Sequence, residues 1–164
     1  MRRFALLGML LAITVSPAAA QTWQMENASD AQGKLYVAFV VDATDTIEVQ
    51  FTCDELLDGK VFMSVFTAED YGASKKRLAQ TPITIAVDGR DLPPLPSVVS
   101  NIDDELVLDV HEGEVPALRS ALTEVAAAED GIVISYADSR WTVSRDGARK
   151  ALAAIERNCP ASEG

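Results

Sequence analysis

Ile47-Glu48-Val49-Gln50-Phe51-Thr52-Cys53 alternates apolar and polar residues without a break. A period of two marks a β-strand with one face on a core and the other in water. Cys53 is in phase with Ile47, Val49 and Phe51, so its sulfur points inward. Just upstream, Leu35–Val41 is a continuous apolar run rich in valine and aromatics. It reads as a central strand covered on both faces. Asp42-Ala43-Thr44-Asp45 between them is turn chemistry, so the two segments form a hairpin.

Further strands are expected at 61–67, 83–87, 106–110, 132–136 and 140–143, the last two joined through Ala137-Asp138-Ser139. Residues 68–82 are polar, with room for one helical turn. Residues 91–96 hold three prolines and read as extended loop. The period changes at 115–128, where Leu118, Ala121, Leu122 and Val125 share one helical face. Pro116 suits its first turn and Gly131 follows its end. Ser144 is a good N-cap for a last helix over 145–158, and Asp146 in the first turn complements its dipole. Ala148, Leu152, Ile155 and Cys159 form one stripe of that helix, and Pro160 stops it. The count is seven or eight strands and two helices. This predicts an α+β fold, an antiparallel sheet or sandwich with helices over one face or end.

With 164 residues, 48% of them apolar, the chain is long enough for one well-filled core. The net charge is −11, and all 25 acidic residues follow position 20. That balance argues against nucleic-acid binding and against docking on an anionic membrane. Residues 1–20 read as a secretory leader. Arg2 and Arg3 form the positive start, residues 4–15 the apolar stretch, and Ala18-Ala19-Ala20 the cleavage site before Gln21. The apolar stretch is too short to span a bilayer of about 30 Å, and no other stretch could. The expected mature chain, 21–164, is one soluble periplasmic domain. Cys53 and Cys159 are the two cysteines. In an exported chain an even count implies pairing. The bridge would close roughly a hundred residues, stabilising by on the order of 4–5 kcal/mol as an upper figure.

Candidate chemistry is thin. His111 is the single histidine, on the polar phase of a strand beside Asp109 and Glu112, and reads as a solvated strand residue rather than a general base. No nucleophile elbow, phosphate loop, dinucleotide fingerprint or zinc-protease motif occurs, so no catalytic residue and no cofactor are assigned. Asp42 and Asp45, Asp103-Asp104-Glu105, and Asp109, Glu112 and Glu114 match no calcium-loop pattern and read as surface charge, so no metal is assigned. Trp23, Tyr36, Tyr71, Tyr136 and Trp141 could line a groove. Trp23, Tyr36 and Trp141 fit the core or its rim better, and Tyr71 is the one expected to be exposed. Tyr71 with Lys75, Lys76 and Arg77 is therefore the candidate partner-binding loop.

At the C-terminus, Trp141-Thr142-Val143-Ser144-Arg145-Asp146-Gly147-Ala148, then Ala151-Leu152 and Cys159, resembles the ending of a group of small exported proteobacterial proteins. In these a β-rich body precedes an S-x-x-G-x-x-x-A-L helix and a closing cysteine. The type VI secretion-associated periplasmic accessory proteins (TagO/VasI-like) are similar in this respect, with an early tryptophan comparable to Trp23. The resemblance implies an envelope role without catalysis and supplies no catalytic residues. The expected function is a periplasmic interaction or accessory protein with an envelope protein as its partner. The alternatives are an envelope hydrolase, a small-ligand-binding protein and a secreted enzyme inhibitor.

Overall fold

A computed structural model of the chain describes residues 22–57 and 59–160. The expected leader, residues 1–20, lies outside them. The elements run β1 (Gln24–Asn27), β2 (Leu35–Val41), β3 (Glu48–Asp54), β4 (Lys60–Asp70), β5 (Thr84–Val87), β6 (Arg90–Asp91), β7 (Val98–Ile102), β8 (Glu105–His111), α1 (Ala117–Ala126), β9 (Ile132–Tyr136), β10 (Ser139–Val143) and α2 (Ala148–Asn158). Six strands form one sheet, ordered β1-β2-β3-β4-β8-β7, and four form another, ordered β10-β9-β5-β6. Every pairing is antiparallel. The fold is α+β, with two antiparallel sheets and two helices.

The alternation of β3 sets the register of the large sheet. Phe51 lies opposite Ala38 on β2 and Met63 on β4, and Met63 lies opposite Val110 on β8. These side chains are buried on one face, and α1 and α2 cover it. Leu118, Ala121, Leu122 and Val125 of α1 are buried, as are Ala148, Ala151, Leu152, Ala154 and Ile155 of α2. The same core takes in Ile85, Ile134 and Tyr136 from the small sheet. Strand β2 differs from its expectation. Only Ala38 and Val40 are buried, while Leu35, Val37, Phe39 and Val41 are half-buried on the opposite face. Both helices pack on the first face, so an apolar strand here carries a second face that neither helix covers.

Three short strands carry no pattern in the sequence. Strand β1 is exposed along its whole length, β6 has two residues, and β7 pairs on one side only. Edge strands need no alternating pattern. Asp103-Asp104 is the two-residue turn between β7 and β8, with both residues at positive φ (51° and 67°). Asp88-Gly89 does the same between β5 and β6 (52° and 77°). These are the backbone values of hairpin turns, which aspartate and glycine tolerate best.

Helix α2 begins at Ala148, three residues after the position expected from Ser144. The Ser144 hydroxyl does accept from the Asp146 N–H (3.0 Å), the bond of an N-cap, yet the helix does not start there. The N-terminal segment explains the shift. The Trp23 indole N–H donates to the Ser144 carbonyl (2.7 Å), and the Trp23 backbone N–H donates to that of Asp146 (2.8 Å). These bonds hold 144–147 out of the helix, and Gly147 turns into it at φ 80°. A Cβ on Gly147 would lie 2.9 Å from the Trp23 carbonyl oxygen. Tertiary contact has overridden local capping preference here.

Cys53 and Cys159 are disulfide-bonded, with Cα atoms 5.8 Å apart. The bridge fastens the end of α2 to the buried face of β3. An ion pair stands beside it. Arg119, in the first turn of α1, donates from Nε and Nη2 to the two carboxylate oxygens of Glu112 (2.9 and 2.7 Å). Its Nη1 donates to the Cys159 carbonyl (2.5 Å). Glu112 also accepts from the Val61 N–H (2.8 Å). Burial alone would raise the Glu112 pKa, but the hydrogen bonds from Arg119 and Val61 and the nearby cations hold it below the usual range. Strands β4 and β8, α1 and the end of α2 thus meet at one knot.

Candidate functional site

The polar segment after β4 is a pinned loop. Its path starts at a register shift in β4 between Phe66 and Asp70, where Ala68 takes a positive φ of 52°. The Asp70 carboxylate accepts from the Ala73 N–H (2.7 Å), and the Tyr71 N–H donates to the Asp104 carbonyl (2.8 Å). Ser74 caps a short 3₁₀ turn, Lys75–Leu78, by accepting from the Lys76 N–H (3.2 Å). From below, the Tyr136 hydroxyl donates to the Ala79 carbonyl (2.6 Å). Burial pushes the Tyr136 phenol up, partly offset by a hydrogen bond with Thr81.

The sequence candidates separate within this loop. Lys76 is half-buried and ion-paired with Glu69, with Asp138 at 3.9 Å. Arg77 is exposed but folds back, donating from Nη1 to the Gly72 carbonyl (2.5 Å). Lys75 is exposed. Tyr71 is half-buried and packs against the core, so it is less open than its polar neighbourhood suggested. Adjacency in the sequence therefore does not make one cationic patch. What the loop presents is Leu78, 77% exposed between Arg77 and Ala79.

A cleft of about 490 Å³ lies beside the loop. Pro82, Pro94, Pro96 and Val99 give it apolar walls, and Arg77, Gln80 and Thr81 give it a polar side. The prolines converge because Leu95 bridges Ile83 through two backbone hydrogen bonds (2.9 and 2.8 Å), which brings 94–96 against 82. Proline has no N–H, so Pro82, Pro94 and Pro96 offer the cleft no backbone donor. The Ser97 hydroxyl oxygen is buried, with no hydrogen-bond partner among the described residues. Val98, 60% exposed, sits between the lining residues Ser97 and Val99. The proline run marked a loop in the sequence. The pairing that turns it into a wall depends on one isolated bridge, which leaves no pattern.

The residues with catalytic potential lie elsewhere, on the face of the large sheet opposite the helices. His111 stands opposite Phe62, edge to face, with ring centroids 4.1 Å apart. Its Nδ1 accepts from the Gly113 N–H (3.0 Å). The Ser64 hydroxyl donates to Asp109 (2.6 Å). Serine bonded directly to aspartate, with histidine engaged by backbone and phenyl ring, is not a nucleophile–base–orienter chain. Among the described residues no group of three His, Cys, Asp or Glu side chains is placed to hold a metal. None of their helices is long and apolar enough to cross a membrane. Trp23 is buried against Phe51 and Tyr136 is buried beneath the loop, while Tyr36 and Trp141 are half-buried at the rim of the core.

No protein-family model, curated protein or solved structure matches the chain.

Proposed function

We propose that the chain is an exported periplasmic accessory protein without catalytic activity, which docks on an envelope protein through loop 71–80 and the adjoining proline-walled cleft. The observation that carries this reading is a loop held from several sides that nonetheless holds Leu78 out in water. A loop already ordered in the free protein loses little conformational freedom on binding. An apolar side chain beside a cleft and two cations is suited to anchor a partner. The leader-like residues 1–20, the paired cysteines and the C-terminal resemblance to type VI secretion-associated accessory proteins support the envelope setting.

The test places a photo-crosslinking residue at 78, with a second at the exposed position 32 as control, in the full chain expressed with its leader. One discrete adduct from 78 alone, lost in the Arg77→Glu variant, is the expected result. Adducts of equal yield from 78 and 32, or recovery of the chain in the cytoplasmic fraction, would overturn the proposal. A small-ligand reading is favoured by the cleft itself, whose volume falls within the usual range of roughly 300–1,000 Å³ and which has a buried unpartnered hydroxyl beside it. Native mass spectrometry of freshly isolated protein separates the two, because a retained small molecule adds a fixed mass.

A further inference from the structure

A second surface brings four cations together with three carboxylates, Glu129, Asp130 and Asp146. Arg145, Arg149, Lys150 and Arg157 line a groove of about 950 Å³ between α2 and the end of α1. All four are exposed, and among the described residues none is in an ion pair. They gather in a molecule of net charge −11 with 14 basic residues in all. Their sequence positions explain why they escape a linear reading. Arg149, Lys150 and Arg157 lie on α2 and Arg145 in the segment that leads into it, so the fold gathers residues that the sequence scatters. The floor is made of small side chains, Ala126, Ala128 and Ala153, over which a backbone can pass closely.

We infer that this groove binds an acidic peptide segment in extended form, a partner contact separate from the loop surface above. Arg149 and Arg157 are eight residues apart on α2, about 12 Å along its axis. An extended chain covers that distance in four residues, about 13 Å, and residues four apart share one side of a strand. The matching element is therefore two carboxylates separated by three residues, with Arg145 and Lys150 available to flanking acids. A flat anionic membrane fits less well. Glu129, Asp130 and Asp146 line the same groove, so a sheet of phosphates laid over it would meet them as well as the arginines. Arg149, Lys150 and Arg157 all belong to α2, whereas Glu129 and Asp130 lie between α1 and β9 and Asp146 before α2, so a strand laid along α2 runs beside the cations.

The test uses the full chain with its disulfide formed and a fluorescent peptide carrying two glutamates four positions apart in a glycine/serine background. A peptide with glutamine at both positions is the comparison. The expected result is about tenfold tighter binding of the glutamate peptide, the sum of a few exposed ion pairs. The difference should shrink as salt is raised. It should vanish in Arg149→Glu/Arg157→Glu and persist in Lys75→Glu. If the glutamate variant does not fold, Arg149→Gln/Arg157→Gln removes the same charges from exposed positions. Equal binding of the two peptides, or a preference that survives loss of both arginines, overturns the inference. So does arginine-dependent capture by phosphatidylglycerol vesicles without any peptide preference, which would make the surface a lipid contact. Because Lys75 and Leu78 play no part, failure here leaves the loop proposal standing, and the reverse holds too.

Discussion

Single residues carry strain and charge that make sharp predictions. Gly147 is needed twice, for its φ of 80° and for the Trp23 carbonyl 2.9 Å from any Cβ. Gly147→Ala should cost about 1–3 kcal/mol, read as a lower midpoint in thermal unfolding. Ala137 has the opposite sign. It takes φ 51° at the first position of the β9–β10 turn, a conformation glycine reaches freely. Ala137→Gly should therefore stabilise by about 0.5–1 kcal/mol; a lower midpoint would mean the turn is not strained. Asp42 closes the β2–β3 turn by accepting from Thr44, from Thr46 (backbone 2.6 Å) and from the Ile47 N–H (3.1 Å). Burial alone would raise its pKa, but those bonds together hold it below the usual 3.8. A depressed folded-state pKa contributes stability that is present above the unfolded value and lost as pH falls through the folded value. Glu112 behaves alike, below its usual 4.5. Unfolding free energy should thus be level near neutrality and fall below about pH 4.5. Asp42→Asn should start about 1–2 kcal/mol lower at neutral pH and fall less steeply.

Elements were legible where burial imposes a period. Strand β3 shows alternation because one face lies under the helices, and α1 shows Leu118, Ala121, Leu122 and Val125 because one stripe meets the sheet. Strands β1, β6 and β7 left no such trace, since an edge pairs on one side and can be short or polar. The start of α2 departs from the local pattern because Trp23, more than a hundred residues away, takes the Ser144 and Asp146 carbonyls that a helix begun there would give to its own N–H groups. Both candidate surfaces share this property. The proline cleft depends on the Ile83–Leu95 bridge and the second groove on the packing of α2 against the end of α1, and neither follows from neighbours in sequence. The Glu112–Arg119 pair binds elements together in a way that can be measured. Arg119→Ala leaves Glu112 half-buried without its cation and frees the Cys159 carbonyl, so it should cost about 2–4 kcal/mol. Glu112→Gln/Arg119→Ala should cost less than the sum of the single changes, because the two residues act as one unit. Strict additivity in urea melts would contradict a coupled clamp.

On the scale of the whole molecule, the chain winds between two sheets and returns to close on itself. Strands β1–β4 begin the six-stranded sheet, β7 and β8 complete it after β5 and β6 of the small sheet, and the last helix is tied to its buried face. The tie spans a sequence separation of 106 residues, so most of its stabilisation comes from limiting the unfolded chain. Replacing both cysteines by serine should lower the thermal midpoint by roughly 10 °C without changing the circular dichroism of the folded state. The most direct measurement is peptide mapping without reductant, on protein recovered from the envelope fraction of cells expressing the full chain. One cross-linked pair joining the peptides of Cys53 and Cys159, with no alkylated thiol, is the predicted result. Two freely alkylated cysteines in the protein so recovered would contradict a last helix fastened to the sheet by that bridge.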